Sequence, residues 1–276
     1  MVHLQGWGEP FLHPDFLEMV SLAKEAGCAV GTTTNGMLLR RPMLERIVDS
    51  GLDVIAFSLA GTGEDNDRIR KGTSIAAVLE TILSLQDLKR RRRVASPSVH
   101  IAFMLLRSGF DTCNRLLEIL EGHGISQVVI STLDFVGSEG LAAEALRPES
   151  DAEYAAISSR LQDVVTALAR RGMEGHFRLV SPGRRRPACT ENVQHALFVS
   201  ANGSVSPCVF LNIPADIDTE TEGSAVISCT HRTFGNVNQT PFLDIWKSNE
   251  YERFRRSFAS DDVAGFCRTC PKLHEI

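Results

Sequence analysis

The sequence predicts an α/β fold: parallel strands alternating with helices in a barrel-like array, followed by a small cysteine-rich extension. Three observations carry this. Apolar strand-like runs alternate with amphipathic stretches as far as residue 133. Polar turns punctuated by glycine stand where the strands run out, as in Gly6-Trp7-Gly8-Glu9-Pro10 and Thr32-Thr33-Thr34-Asn35-Gly36. Five of the seven cysteines fall between positions 189 and 270.

The elements follow in order. Residues 2–5 read as the remainder of a strand. Residues 15–26 have helical apolar spacing, with Pro14 at the start and Gly27 as a stop. A second strand is expected at 28–34, a short helix at 42–49 ended by Gly51, and a third strand at 53–59. Helix 74–90, strand 98–106, helix 111–121 and strand 127–133 complete the alternation. Such alternation implies parallel pairing through right-handed crossovers. The strands look apolar on both faces, as a sheet covered by helices requires.

The rhythm changes near residues 147–151, where a long helix to about 171 begins. A basic stretch at 181–187, rich in Pro and Gly, marks the boundary between domains 1–180 and 181–276. Beyond it, Ala196 to Val209 reads as a hairpin turning at Ala201-Asn202-Gly203. Residues 214–229 read as a polar, acidic loop. Residues 240–258 read as one amphipathic helix offering Phe242, Ile245, Trp246, Tyr251 and Phe254 to one face. The basic runs Lys89–Arg93 and Arg184–Arg186 read as a solvated helix end and a solvated linker, with an anionic substrate or partner as the alternative.

A chain of 276 residues, 43% hydrophobic, suits one large α/β domain with an appendage or two modest domains. A net charge of -5 with pI near 5.9 argues against a nucleic-acid partner. No apolar run reaches the roughly 20 residues of a membrane helix, so no membrane role is expected. No signal peptide follows Met1, and a cytoplasmic location is expected. In such a reducing compartment, clustered cysteines read as metal or cluster ligands before they read as disulfides.

Chemistry is expected at the strand ends. Gly6 and Gly8 let backbone approach a ligand closely, Glu9 can accept from an ammonium group, and Pro10 stiffens the turn. Thr34, Asn35 and Gly36 follow the next strand. Ser58 offers a hydroxyl to a carboxylate or ribose, and Arg70 offers a two-pronged donor for a carboxylate. Together they suit a zwitterionic nucleoside. At the other end, Cys267-x-x-Cys270 can chelate from a single turn. With Cys189 and Cys208 it makes four thiolates, enough for [4Fe–4S] or structural zinc. Cys229, with His231 nearby, is a candidate spare ligand. Cys28 and Cys113 read as buried thiols, and His3 and His13 as packing or capping groups.

These motifs resemble the radical SAM enzymes. GWGEPFLHPDF is similar to the family turn that binds the methionyl amine of S-adenosylmethionine. TTTNG, FSLAGTGEDNDRIRKG, LLRSGFD and LDFVGSEG follow in the family's order across residues 1–145. The resemblance implies a partial (β/α)6 TIM-like barrel lacking its first strand. In it Glu9, Asn35, Ser58 and Arg70 would position S-adenosylmethionine. The family's CxxxCxxC loop, which holds the catalytic cluster, lies upstream of that turn and is missing here. The chain is therefore expected to be a piece of a longer enzyme, or else a remnant without radical chemistry.

Residues 189–272 resemble the SPASM/Twitch extension, with its C…Gx4C, GN, W-x-S, Tyr-x-x-Phe-Arg and CxxC marks. This implies one auxiliary [4Fe–4S] cluster on Cys189, Cys208, Cys267 and Cys270. It also implies a peptide or cofactor-precursor substrate and an electron donor of flavodoxin or ferredoxin type. A non-catalytic iron–sulfur protein and a zinc-stapled binding module remain the alternatives.

Overall fold

The structure, a computed structural model, describes residues 1–133, 136, 139–183, 189–213, 231–260, 262–268 and 270–274. The chain divides into two compact units. The first comprises Met1–Leu133 and Ala155–Arg178, and the second Asp134–Tyr154 and Leu179–Ile276. Among the described residues, no helix is long and apolar enough to cross a membrane.

The first unit is built on β1 (Val2–His3), α1 (Phe16–Glu25), β2 (Val30–Thr34), α2 (Arg41–Asp49), β3 (Val54–Leu59), α3 (Glu64–Ile69), α4 (Ile75–Arg92), β4 (Ser98–Leu105), α5 (Arg115–Leu120) and β5 (Gln127–Thr132). In the second half of the chain, α6 (Glu139–Glu144) precedes α7 (Asp151–Arg170) and β6 (Glu174–Arg178). The six strands form one sheet in the order β1-β2-β3-β4-β5-β6. Every neighbouring pair is parallel. This is a curled half-barrel, a partial TIM barrel with helices, as the alternating pattern implies.

β4 and β5 alternate between buried and half-buried residues. These two strands thus pack one face fully, with Val99, Ile101, Phe103 and Leu105 in the core, and leave the other partly open. The expectation of strands buried on both faces holds over most of β2 and β3 and not in β4 and β5. The helices close the packed face by ordinary amphipathic spacing. In α4, Ser74 caps the start by accepting from the Ala77 N–H at 3.4 Å, and Val78, Ile82, Leu85 and Leu88 face inward. Its basic end is less solvated than expected. Lys89 is buried and donates to the Pro97 carbonyl at 2.7 Å, and burial draws its ammonium pKa below the ordinary value.

β6 is absent from the sequence reading. Glu-Gly-His-Phe-Arg has no apolar run to signal a strand, yet five residues pair with β5. Gly175 leaves room for the helix above it, since a Cβ there would lie 3.1 Å from Leu168.

The second unit contains β7 (Phe198–Val199), β8 (Ser204–Ser206), β9 (Gly235–Asn236), α8 (Phe242–Trp246), α9 (Asn249–Ser257) and α10 (Gly265–Arg268). The three short strands pair antiparallel, β7-β8-β9. The β7–β8 turn needs Gly203, whose φ of +83° is the left-handed conformation glycine tolerates. The single amphipathic helix expected at 240–258 is two. The break falls at Ser248, whose hydroxyl accepts from the Tyr251 N–H at 3.3 Å and caps α9. Ile245, Tyr251 and Phe254 enter the core, whereas Phe242 is exposed. The expected 214–229 loop and Arg184–Arg186 lie outside the described residues.

Between β2 and β3, Asp53 accepts from Lys24 Nζ at 2.8 and 3.0 Å and from the Val30 N–H at 2.7 Å. These bonds, Lys24 first, hold its carboxyl below the usual carboxylate range. A depressed carboxyl pKa stabilises the fold above its unfolded value near 3.9, and that stability is lost as pH falls through the folded value. Asp53→Ala is expected to cost about 1–2 kcal/mol at pH 7 in urea denaturation. The gap to the unmodified chain should narrow below about pH 4.

Candidate functional site

The turn after β1 is organised around one carboxylate. Glu9 caps a short 3-10 turn, Pro10–Leu12, in which Pro10 fills the first position. Glu9 Oε1 accepts from the Phe11 N–H at 3.3 Å and from the Thr34 hydroxyl at 2.7 Å. Oε2 accepts from the Asn35 N–H at 2.7 Å. Thr34 in turn accepts from the Gly36 N–H at 3.0 Å, and Asn35 Oδ1 from the Met37 N–H at 2.9 Å. The ends of β1 and β2 are thereby joined through a side chain. A carboxylate offers about four acceptor positions, so one remains on Oε2.

Arg70 enters this mouth from the segment after β3. Its Nε is buried with no hydrogen-bond partner among the described residues. Burial lowers the guanidinium pKa, and the nearby Glu9 carboxylate opposes that shift. Arginine keeps its charge regardless, so a half-buried cation stands within electrostatic reach of a pinned carboxylate.

The segment carrying Arg70 has a support that sequence reasoning missed. Asn66 is 1% exposed. Its Oδ1 accepts from the Ala60 N–H at 2.9 Å and its Nδ2 donates to Asp67 at 3.0 Å. Asp67 also accepts from the Ile75 N–H at 2.7 Å. A Cβ at Gly61 would lie 2.6 Å from the Asn66 backbone nitrogen. Gly61-x4-Asn66 is the sequence signal for this close approach.

The other expected mouth residues are placed less tightly. Gly6 and Gly8 are exposed, and a Cβ at Gly8 would meet nothing within 4 Å, which leaves open space over the turn. Ser58 is half-buried near the end of β3, outside the hydrogen-bonded set around Glu9. His13 Nδ1 accepts from the Asp15 N–H ahead of α1. His3 bonds Gln5 and Thr33.

In the second unit, Cys189, Cys208, Cys267 and Cys270 are all half-buried free thiols. Cys208 follows β8, Cys267 lies in α10, and Cys270 heads the 3-10 turn Pro271–Leu273. The Thr190 N–H donates to the Lys272 carbonyl at 3.2 Å, which lays the Cys189 segment beside the Cys270 turn. Three of the thiols border an aromatic core containing Tyr251, Phe254 and Phe258.

Burial pushes Cys189 and Cys208 up to about 12 and Cys267 higher still. The thiols raise one another further: Cys270 and Cys208 act on Cys267, and Cys189 acts on Cys208 and Cys267. These sulfurs stay protonated until a cation compensates the charge. Lys272, 4% exposed and 3.6 Å from Glu191, supplies one positive charge beside Cys189. Among the described residues, no three His, Cys, Asp or Glu side chains are already drawn together to hold a single metal ion. The donor set, four mutually interacting thiols from three chain segments, suits an iron–sulfur cluster. Cys229 lies outside the described residues. Cys113 is buried as expected, and Cys28 is half-buried.

A parallel half-barrel with a charged mouth at its strand ends, joined in sequence to a four-thiol module, defines an α/β iron–sulfur class of protein. Residues 2–131 match the Radical SAM superfamily, and residues 189–271 match SPASM, an iron–sulfur cluster-binding domain. The chain thus carries a Radical SAM match in its first half and a SPASM match in its second.

It is 26% identical to the tungsten-containing aldehyde ferredoxin oxidoreductase cofactor-modifying protein of Pyrococcus furiosus, covering 92% of this chain and 69% of the relative. It is 22% identical to the PqqA peptide cyclase of Granulibacter bethesdensis, covering 98% and 66%. Streptococcus suis SuiB, solved alone and bound to S-adenosylmethionine, shares the fold. The TM-scores are 0.63 and 0.62 at 14% and 12% identity, covering 91% and 97% of this chain and 56% and 59% of SuiB. The chain thus spans between 56% and 69% of the length of these proteins.

Gly61→Ala is expected to destabilise the barrel unit by about 1–3 kcal/mol through overpacking against Asn66. Chemical denaturation checks this; Gly8→Ala, which meets open space, should change stability little.

Proposed function

We propose that the strand-end mouth binds S-adenosylmethionine and that the protein serves radical chemistry on a peptide or cofactor precursor. The observation that carries this is the half-buried Arg70, its Nε buried and unpartnered among the described residues, within electrostatic reach of the pinned Glu9 carboxylate. An amino acid moiety presents an ammonium and a carboxylate together. Glu9 Oε2 takes the ammonium, Arg70 takes the carboxylate, and Thr34 and Asn35 hold Glu9 in place. Gly6, Gly8 and Pro10 shape the open turn above it, and Ser58 stands at the neighbouring strand end for the ribose.

Cys189, Cys208, Cys267 and Cys270 hold one auxiliary [4Fe–4S] cluster in this reading. When bound, such a cluster supplies a one-electron relay or a substrate-anchoring iron. A reduced flavodoxin or ferredoxin would deliver the electron. Free thiols in the six described cysteines suit a reducing cytoplasm. The peptide-cyclase and cofactor-modifying relatives support the substrate class.

A second reading uses the same four thiols. A chain that binds a cluster without radical chemistry would act in electron transfer or peptide binding. A zinc-stapled module would hold zinc on those thiols.

Equilibrium dialysis with S-adenosylmethionine tests the proposal. Glu9→Gln and Arg70→Gln should each weaken binding roughly 10- to 100-fold, the worth of a hydrogen bond to a charged group. Unchanged affinity in both would overturn the mouth assignment. After anaerobic reconstitution, the chain should hold about four irons with matching sulfide. Cys267→Ala combined with Cys270→Ala should lose them, whereas zinc in place of iron would overturn the cluster.

A further inference from the structure

Two buried donors in the second unit have no acceptor among the described residues. Tyr251 is 0% exposed and its hydroxyl has no hydrogen-bond partner. Arg255, one turn later in α9, has a buried Nη1 that is equally unpartnered. Both are fixed in place. The Tyr251 ring stacks on Phe234 with centroids 4.2 Å apart and meets Trp246 edge-on at 5.2 Å. The Arg255 guanidinium lies 3.8 Å over the Trp246 ring and 4.8 Å over Tyr251. Buried donors without partners cost free energy and are uncommon in folded proteins. Arginine can only donate, so what is absent from the pair is an acceptor carrying negative charge.

Cys208, on the same core, is a source of one. Cys208 packs against the core that contains Tyr251, and its charge acts on the Tyr251 hydroxyl, as does that of Arg255. Four thiolates around an iron–sulfur cluster carry net negative charge, and hydrogen bonds to those sulfurs are among the levers that set a cluster's potential.

We propose that Tyr251 and Arg255 are positioning residues that donate to the sulfur shell of the cluster held by Cys208 and raise its reduction potential. This rests on the four-cysteine cluster reading above. The donors stabilise the reduced state more than the oxidised one, because reduction adds negative charge to the sulfurs they face. The aromatic stack fixes the donors, so little reorganisation accompanies the change of charge.

The test is a mediated redox titration of the full reconstituted chain, followed by electron paramagnetic resonance, with iron and sulfide measured on every sample. Tyr251→Phe keeps the ring and its stack and removes only the oxygen. It should retain full iron, shift the midpoint potential downward, and lose an exchangeable-proton coupling in deuterated buffer. Arg255→Gln should retain iron and shift the potential the same way. Full iron with unchanged potential in both variants would overturn the role of the donors and leave the cluster standing. No iron in the unmodified chain would overturn the cluster reading and this inference together.

Discussion

Strict parallel pairing across six strands is the constraint on which the barrel unit depends. Because β1 to β6 all run the same way in sequential order, every strand delivers its following loop to one edge. The Glu9 turn, the Thr34–Asn35 turn and the Arg70 segment therefore converge without any long-range device beyond the sheet. Glu9 adds a bridge from the first strand end to the second. The order of side chains at that edge is set by backbone registry, and their charge then decides what they can bind.

The second unit obeys a different constraint. Among the described residues it has three short strands and gains its core from aromatics, with Tyr251, Phe234, Phe254 and Phe266 in successive ring contacts. That core is bordered by sulfur and held by α9. Desolvated thiols resist ionising, and gathering several raises each one further. A cationic centre removes both penalties at once, which couples the packing of this unit to what its cysteines bind.

Much of this was legible in the sequence, where a physical signal was local. Glycine-punctuated turns marked the strand ends, Asn202-Gly203 marked the hairpin, and C-x-x-C marked the thiol module. What escaped lacked a local signal. β6 is polar in sequence and forms because β5 offers it an edge. Ser248 reads as one more polar residue in an amphipathic stretch until its hydroxyl caps α9. Lys89 looked solvated within a basic run but is drawn under the fold by the Pro97 carbonyl. Asn66 and Gly61 act through a tertiary approach that spacing alone does not reveal, and the pinning of Glu9 by Thr34 required two strands in register.

The central claim is that the strand-end mouth reads a zwitterion, with Arg70 taking the carboxylate. Its most direct test is a ligand–protein double cycle: S-adenosylmethionine and its decarboxylated analogue, each bound to the unmodified chain and to Arg70→Gln. The account predicts that losing the ligand carboxylate weakens binding to the unmodified chain by about tenfold or more and costs Arg70→Gln almost nothing further. Equal losses in both proteins would show that the carboxylate and Arg70 do not meet, and would contradict the account.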